Sequence, residues 1–385
     1  MDKILRLVTE REKCADFLYQ RISLLEVDCI IAYNDDALFQ QLMLYIESHI
    51  KETNNLVTNM SFTMIVDNDL YDFIEKTANA GKRGQVVHLS YCSKEKGTIR
   101  ALRFENEGYN IYLAQKTPAI FIECEDSKHF YYIMNHPYLQ QIKFKLDGFK
   151  FFEHILNKLM NINSSVLFHS AAVEYGDDEA IIIIGPKRAG KTTLFMDMVR
   201  VLECRPIAFD KCHLVMNNNN VTIYGMPTRF RVLAGTLSKY GEEMEYLIPE
   251  KYRNVDSDEL WKGKSESKID MSFADFKRFC RGKEFVEKSK LKYMVIPHIA
   301  KNNSDEVRLA TFNEFREICT NQIFTPENPE EDWWSDCGKN EVESMKKHYN
   351  EMVKYIWKNI PVIKISASNN TQGILKEFKK LFLEN

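Results

Sequence analysis

Residues 185–193 read Gly185-Pro186-Lys187-Arg188-Ala189-Gly190-Lys191-Thr192-Thr193, entered from the apolar run 180–184 (AIIII) and left through Leu194-Phe195-Met196. A β-favouring run, a glycine-bounded loop and a helix-compatible exit are the context in which G-x-x-x-x-G-K-[ST] reads as a phosphate-binding P-loop. The two glycines let the backbone curl until successive N–H groups point inward at an anion. Gly185, Pro186, Lys187, Arg188, Ala189 and Gly190 then form the cradle, and Lys191 reaches the β- and γ-phosphates. Thr192 offers its hydroxyl to Mg2+ with Thr193 behind it, and a helix starting near Lys191 turns its positive end to the phosphates. A glycine-rich turn without a ligand is the alternative.

Working outward, 165–175 (SVLFHSAAVEY) and 179–184 are β runs joined by Gly176-Asp177-Asp178, which predicts a hairpin. Pairing across a turn centred there sets His169 beside Gly185, at the mouth of the loop. On the other side, a helix over 191–202 leads to the strand 205–210 (RPIAFD). A right-handed crossover brings that strand back to the same end of the sheet, so Asp210 arrives near the loop. From there a carboxylate can hold Mg2+ or take a proton from an attacking hydroxyl; a surface aspartate at a turn is the other reading.

Further on, 213–216 and 221–224 predict a second hairpin around the asparagines 217–220, followed by Gly225-Met226-Pro227-Thr228-Arg229-Phe230-Arg231. Arg229 and Arg231 are either plain surface charge or cations that steady charge on a transferred phosphoryl group. The stretch 240–288, rich in Glu, Lys, Asp and Ser, is read as an insertion, either a lid or solvated helices. Late core strands are expected at 292–299 and 361–366, and a closing amphipathic helix at 372–383. The acidic, proline-broken run 325–334 ends in Trp333-Trp334, a pair suited to a partner surface or to packing on the core.

Before position 150 no chemical motif is legible. Ile4, Leu5, Val8, then Phe17, Leu18, Ile22, Leu25, and Leu38, Leu42, Ile46 after Asn34-Asp35-Asp36 have helix-like spacing, so residues 1–50 are expected to be helical. From there the period changes, and 61–66, 85–91, 98–104, 109–114, 119–124 and 129–134 are short β runs suggesting an antiparallel meander. A helical pattern resumes at 149–160. The chain therefore divides into an N-terminal α+β domain, 1–150, and a second domain, 151–385, that carries the chemistry.

With 385 residues, 44% of them hydrophobic, the chain has ample material for two cores. Its formal net charge of -3 points to neither a nucleic-acid nor a membrane partner. The absence of a long apolar run or a signal-like N-terminus leads to the expectation of a cytoplasmic protein. The nine cysteines (Cys14, Cys29, Cys92, Cys124, Cys204, Cys212, Cys280, Cys319 and Cys337) form no C-x-x-C pair, which argues against a zinc site and for reduced, mostly buried thiols.

The run Leu167-Phe168-His169-Ser170-Ala171-Ala172-Val173, the turn, Ile181-Ile182-Ile183-Ile184-Gly185, the loop and Ile207-Ala208-Phe209-Asp210 together resemble the catalytic domain of the HPr kinase/phosphorylase family. They are closest in style to its diverged, HPr-kinase-like relatives that tailor lasso peptides. The resemblance is clear over about 160–240 and looser over 361–383. It implies an α/β fold similar to phosphoenolpyruvate carboxykinase, a P-loop kinase domain with a mixed sheet. It also implies ATP with Mg2+, transfer of the γ-phosphoryl group to a serine of a peptide or protein, and a homo-oligomer. In those terms Lys191 and Thr192 take the P-loop roles, His169 matches the active-site histidine, and Asp210 matches the second aspartate of an Asp-Asp pair. Phe209 stands where the first belongs, and Pro186-Lys187-Arg188 replaces small residues. A nucleotide-binding sensor or scaffold without catalysis, and a kinase of a small metabolite, are the competing readings.

Overall fold

The computed structural model describes residues 3–14, 16–52, 58–80, 83–89, 99–126, 128–136, 147–162, 164–217, 220–253, 255–262, 268–324, 337–368 and 370–384. They form two compact units, one of residues 1–46, 50–162 and 329–344, the other of 47–49, 163–328 and 345–385.

The first unit runs α1 (Lys3–Glu12), β1 (Leu18–Leu24), β2 (Val27–Tyr33), α2 (Asp36–Ile46), β3 (Lys51–Glu52), β4 (Met60–Val66) and α3 (Asn68–Asn79). It continues through β5 (Gln85–Leu89), β6 (Ile99–Asn106), β7 (Tyr109–Ala114), β8 (Ala119–Cys124), β9 (His129–Met134) and α4 (Asp147–Ile162). Its nine strands make one sheet in the order β3-β1-β2-β4-β9-β8-β7-β6-β5. The expected meander is present from β5 to β9, and β9, β4 and β2 then pair in parallel.

One expectation fails in this unit. Residues 17–33 are a β-hairpin rather than a helix, with Leu24 opposite Val27 and only Leu25 and Glu26 in the loop. Both loop residues have positive φ, 54° and 62°, a conformation that two-residue hairpin turns usually mark with Asn-Gly. The buried side chains Ile22, Leu24, Cys29 and Ile31 follow the strand period of two, which the unmarked turn disguised. Helix α4 belongs wholly to the first unit, so the chain changes units at its end, within the 140–163 stretch where the sequence breaks.

The second unit opens with β10 (Ser165–Phe168), β11 (Ser170–Glu174), β12 (Glu179–Ile184), α5 (Lys191–Val201), β13 (Arg205–Ala208), β14 (Cys212–Asn217), β15 (Asn220–Gly225) and β16 (Phe230–Leu233). Short helices follow, α6 (Ala234–Ser238), α7 (Glu242–Glu245), α8 (Glu250–Arg253) and α9 (Ser257–Lys262), then β17 (Lys268–Met271) and α10 (Phe273–Phe279). The chain closes with β18 (Lys288–Ile299), β19 (Glu306–Leu309), α11 (Phe312–Gln322), β20 (Ile323–Phe324), α12 (Lys339–Asn359), β21 (Val362–Ala367) and α13 (Gln372–Phe378).

The main sheet runs β13-β11-β12-β18-β15-β14-β10-β20, with β21 on β18 and β19 on β21, while β16 and β17 form a separate ribbon. The sheet is mixed and the fold α/β: β12 pairs with β18 in parallel and with β11 antiparallel. The unbroken run AIIII suits a strand covered on both faces. Ile181 and Ile183 enter the core shared with α5, α10 and α13, and Ala180, Ile182 and Ile184 enter the core shared with α11 and α12.

The stretch 240–288 is not a detached lid. Its residues Met244, Ile248, Leu260, Ile269, Met271, Phe276 and Phe279 are part of the core around α5. Polar ties reinforce this along one stripe of α5 at helical spacing. Thr193 Oγ1 lies 3.2 Å from Thr236 Oγ1, and the Arg200 guanidinium forks onto Glu243 at 2.6 and 2.7 Å. Between them the buried Asp197 accepts from Lys239, from Thr371 and, at 2.7 Å, from the Tyr240 hydroxyl. The run 325–334, with its two tryptophans, lies outside the described residues. Among the described residues no helix is long and apolar enough to cross a membrane, and Cys29, Cys124, Cys204, Cys212, Cys280 and Cys319 are buried thiols outside any disulfide.

Removing the Asp197 carboxylate strands a half-buried ammonium. Asp197→Ala is expected to lose about 3–5 kcal/mol in urea unfolding, and Asp197→Asn, which keeps one acceptor oxygen, distinctly less.

Candidate active site

The site begins where a strand changes partners. The hairpin register expected from the turn holds from Ser170, opposite Ile184, to Glu174, opposite Ala180. Before Ser170 it does not hold, because β10 leaves β12 and pairs with β14 and β20 instead. His169 stands at this break, its backbone N–H donating to Gln322 O at 2.9 Å. A strand must interrupt its ladder to exchange neighbours, and the residue at the interruption is released from the alternation of the pleat.

The loop that follows β12 is held by close backbone approach. Gly190 has φ 95°, and a Cβ there would stand 2.5 Å from Ile299 Cβ and Cγ1, so only glycine fits. Ala189 O accepts from Ile299 N at 3.0 Å, and Ala189 N–H donates to Pro186 O at 3.1 Å. At Gly185 a Cβ would lie 3.2 Å from Ala189 Cβ and 3.3 Å from Pro297 Cδ. Pro186, Lys187 and Arg188 form the exposed tip, with Arg188 also at positive φ, 72°.

Helix α5 starts at Lys191, whose ammonium folds back to donate to Gly185 O at 2.7 Å and Pro186 O at 3.4 Å. Burial pulls its pKa down to about 8, the Asp210 carboxylate partly opposing and the Lys268 charge adding to the fall. Thr192 is half-buried in the first turn, and Thr193 turns inward to Thr236.

Strand β13 pairs antiparallel with β11 and so runs in the same direction as β12, one strand removed. The chain thus returns to the end of the sheet that holds the loop. Asp210, two residues past β13, has Oδ1 3.3 Å from His169 Nε2, with 44% of its side chain and 35% of the histidine's still exposed. Burial would raise its carboxyl; the His169 imidazole, then Lys211 and Lys191, outweigh that and hold it well below the usual carboxylate range. Phe209 points the other way. It is 5% exposed and meets Phe195, Phe230 and Phe276 edge-on at 5.4, 5.3 and 6.0 Å.

His169, Lys191 and Asp210 are therefore brought together. Arg229 and Arg231 are not directed there in the same way: both pair with Asp270 on β17, Arg231 at 3.5 Å. Sequence reasoning passed over Lys211, although it adjoins Asp210, and Lys268, which sits in a run with no motif. It also passed over Phe324, whose ring centroid is 6.0 Å from that of His169 and 6.0 Å from Lys211 Nζ. Among the described residues no three His, Cys, Asp or Glu side chains gather in a metal-binding group. The Asp210 carboxylate and Thr192 hydroxyl are hard oxygen donors of the kind Mg2+ takes when phosphates complete its shell.

No family model matches the chain, and no curated protein matches it. Among solved structures, the Hpr(Ser) kinase/phosphatase from Coxiella burnetii is similar at 10% identity and a TM-score of 0.26, over 57% of this chain and 99% of that one. That overlap is too slight to carry residue roles across.

Placing a carboxylate at 209 would bury a charge among three rings. Phe209→Asp is expected to cost at least about 3 kcal/mol in chemical denaturation. Gly190→Ala, strained in φ and clashing with Ile299, is expected to lower the melting temperature by several degrees, roughly what 1–2 kcal/mol gives.

Proposed function

We propose that the second unit is a P-loop kinase domain of the phosphoenolpyruvate-carboxykinase-like type. It would transfer the γ-phosphoryl group of ATP to a hydroxyl, with a serine of a peptide or protein as the acceptor. The observation that carries this is the His169–Asp210 pair at 3.3 Å beside a glycine loop whose lysine charge is felt by that same aspartate.

Each residue then has a physical task. The backbone of Lys187, Arg188 and Gly190 and the start of α5 would offer N–H groups to phosphate oxygens. Lys191, whose ammonium donates to Gly185 O and Pro186 O, would exchange these carbonyls for phosphate oxygens. Mg2+, held by Asp210 and Thr192 together with the phosphates, would neutralise charge on the transferred group. A carboxyl held far below its usual range stays ionised, so Asp210 accepts a hydrogen bond from the acceptor hydroxyl and orients it. The proton released at transfer has the His169 ring within reach. Catalysis of this kind is positioning and electrostatics, and the described residues supply both.

One observation favours a second reading. With Phe209 held in the aromatic core, no carboxylate stands beside Asp210 at position 209, which suits a nucleotide-binding sensor. Binding of Mg·ATP with no transfer to any member of a peptide and metabolite panel would establish that reading and overturn ours.

In calorimetry, Mg·ATP is expected to bind the wild type and not Lys191→Ala. Asp210→Asn is expected to keep binding while transfer from labelled ATP falls about 100-fold or more; transfer at wild-type rate by a folded variant would overturn the assignment. The Lys191 pKa of about 8 also fixes a pH dependence. Below it the ammonium is already present in the free protein; above it nucleotide binding must take up a proton. Affinity is therefore expected to hold below about pH 8 and to decline above it, by up to tenfold per unit. A flat profile from pH 7 to 9.5 would remove Lys191 from the site.

A further inference from the structure

The short strand β20 gives His169 its surroundings. In its two rungs with β10, Phe168 lies opposite Ile323 and Leu167 opposite Phe324. The next step along is made by His169 itself, whose N–H donates to Gln322 O at 2.9 Å, so a strand from far along the chain carries the backbone of the histidine. Opposite residues of an antiparallel pair point to the same face of the sheet. Phe168 and Ile323 occupy one face, both wholly buried in the core shared with α11 and α12. Phe324 occupies the other and is half-buried. A residue two positions on from its opposite number, here His169 after Leu167, is a diagonal neighbour within reach of an aromatic side chain. That contact is made: the Phe324 and His169 ring centroids are 6.0 Å apart with planes at 40°. Lys211 Nζ lies 6.0 Å from the same phenyl centroid. One ring therefore stands against both basic residues that adjoin Asp210, the histidine with Nε2 3.3 Å from Asp210 Oδ1 and the lysine next in sequence. His169 needs such a stop, because it lies where the strand changes partners and 35% of its side chain is exposed, so that turning of the imidazole would carry Nε2 away from the carboxylate. Ile323 supplies the burial that anchors β20, which leaves Phe324 for this contact.

We propose that Phe324 is a positioning residue for the transfer, its ring holding the His169 imidazole with Nε2–H directed at Asp210. An ionised carboxylate only accepts hydrogen bonds, so the nitrogen that faces it carries the proton. The inference rests on the kinase reading above and adds to it the group that aims its histidine.

The test compares wild type with Phe324→Leu, which removes the ring, and Phe324→Tyr, which keeps it; melting temperatures confirm that the variants are folded. In protein labelled with 15N-histidine, with His169 assigned from His169→Gln, long-range 1H–15N spectra of the neutral ring show which nitrogen is protonated. Wild type and Phe324→Tyr are expected to hold the proton on Nε2, and Phe324→Leu to divide it between the two nitrogens. With labelled Mg·ATP and the peptide and metabolite panel, kcat is expected to fall about tenfold or more in Phe324→Leu, as for a misplaced reacting group. Calorimetric affinity for Mg·ATP is expected to stay unchanged, and Phe324→Tyr to restore most of kcat. An imidazole indifferent to the leucine change, an undiminished kcat, or an affinity loss matching the loss of kcat overturns the role of Phe324, while transfer by the wild type leaves the kinase reading standing. A wild type that transfers to no member of the panel overturns that reading and this role with it.

Discussion

The parallel ladder between β12 and β18 fixes everything in the site. It runs from Glu179–Lys290 to Ile183–Val295, with both faces of β12 covered, so neither strand can slide without moving alternate isoleucines into the wrong core. The loop leaves β12 at Gly185 and is tied back to β18 by the Ala189–Ile299 hydrogen bond and by the close approach of Gly190 to the Ile299 side chain. The loop thus closes against two strands that cannot shift. Its shape is set by the sheet, and α5 inherits its starting point and direction from it.

That constraint explains why some of the site was legible in the sequence and some was not. The loop, the turn at 176–178 and the crossover to Asp210 are local signals with one geometric consequence each, and His169 and Asp210 do meet. The mechanism by which His169 gets there was not legible. A continuous apolar run gives no sign that β10 and β11 have different neighbours, since both are buried and both look alike. In the first unit the same limitation took the form of a hairpin whose turn, Leu25-Glu26, has positive φ without glycine or asparagine. Without a turn mark, alternate buried residues spaced over a short strand are easily taken for a helix face.

The arginines illustrate a different gap. Their spacing was visible, but their partner, Asp270, lies about forty positions away on a strand embedded in a charged run, and the pairing exists only through the β16–β17 register. The same run hid its own core residues. Met244, Leu260, Ile269, Met271, Phe276 and Phe279 are too widely spaced among charges to suggest a packed segment, yet they surround α5. Thr193, Asp197 and Arg200 then fasten that segment to the helix that begins at Lys191.

The balance of charge gives Phe209 its meaning. A second carboxylate beside Asp210 would face the same histidine and lysines, sharing their field and raising one of the two pKa values through like-charge repulsion. With Phe209 rotated into the ring cluster, Asp210 alone receives the combined effect of His169, Lys211 and Lys191 and remains fully ionised. The aromatic substitution also has a packing role, because Phe209 joins Phe195 on α5 to Phe230 on β16 and Phe276 on α10. The residue next to Asp210 therefore connects the loop's helix to the ribbon that carries Lys268. On the proposed reading, the lysines whose charge reaches Asp210, Lys211 and Lys191, favour a highly charged anion there.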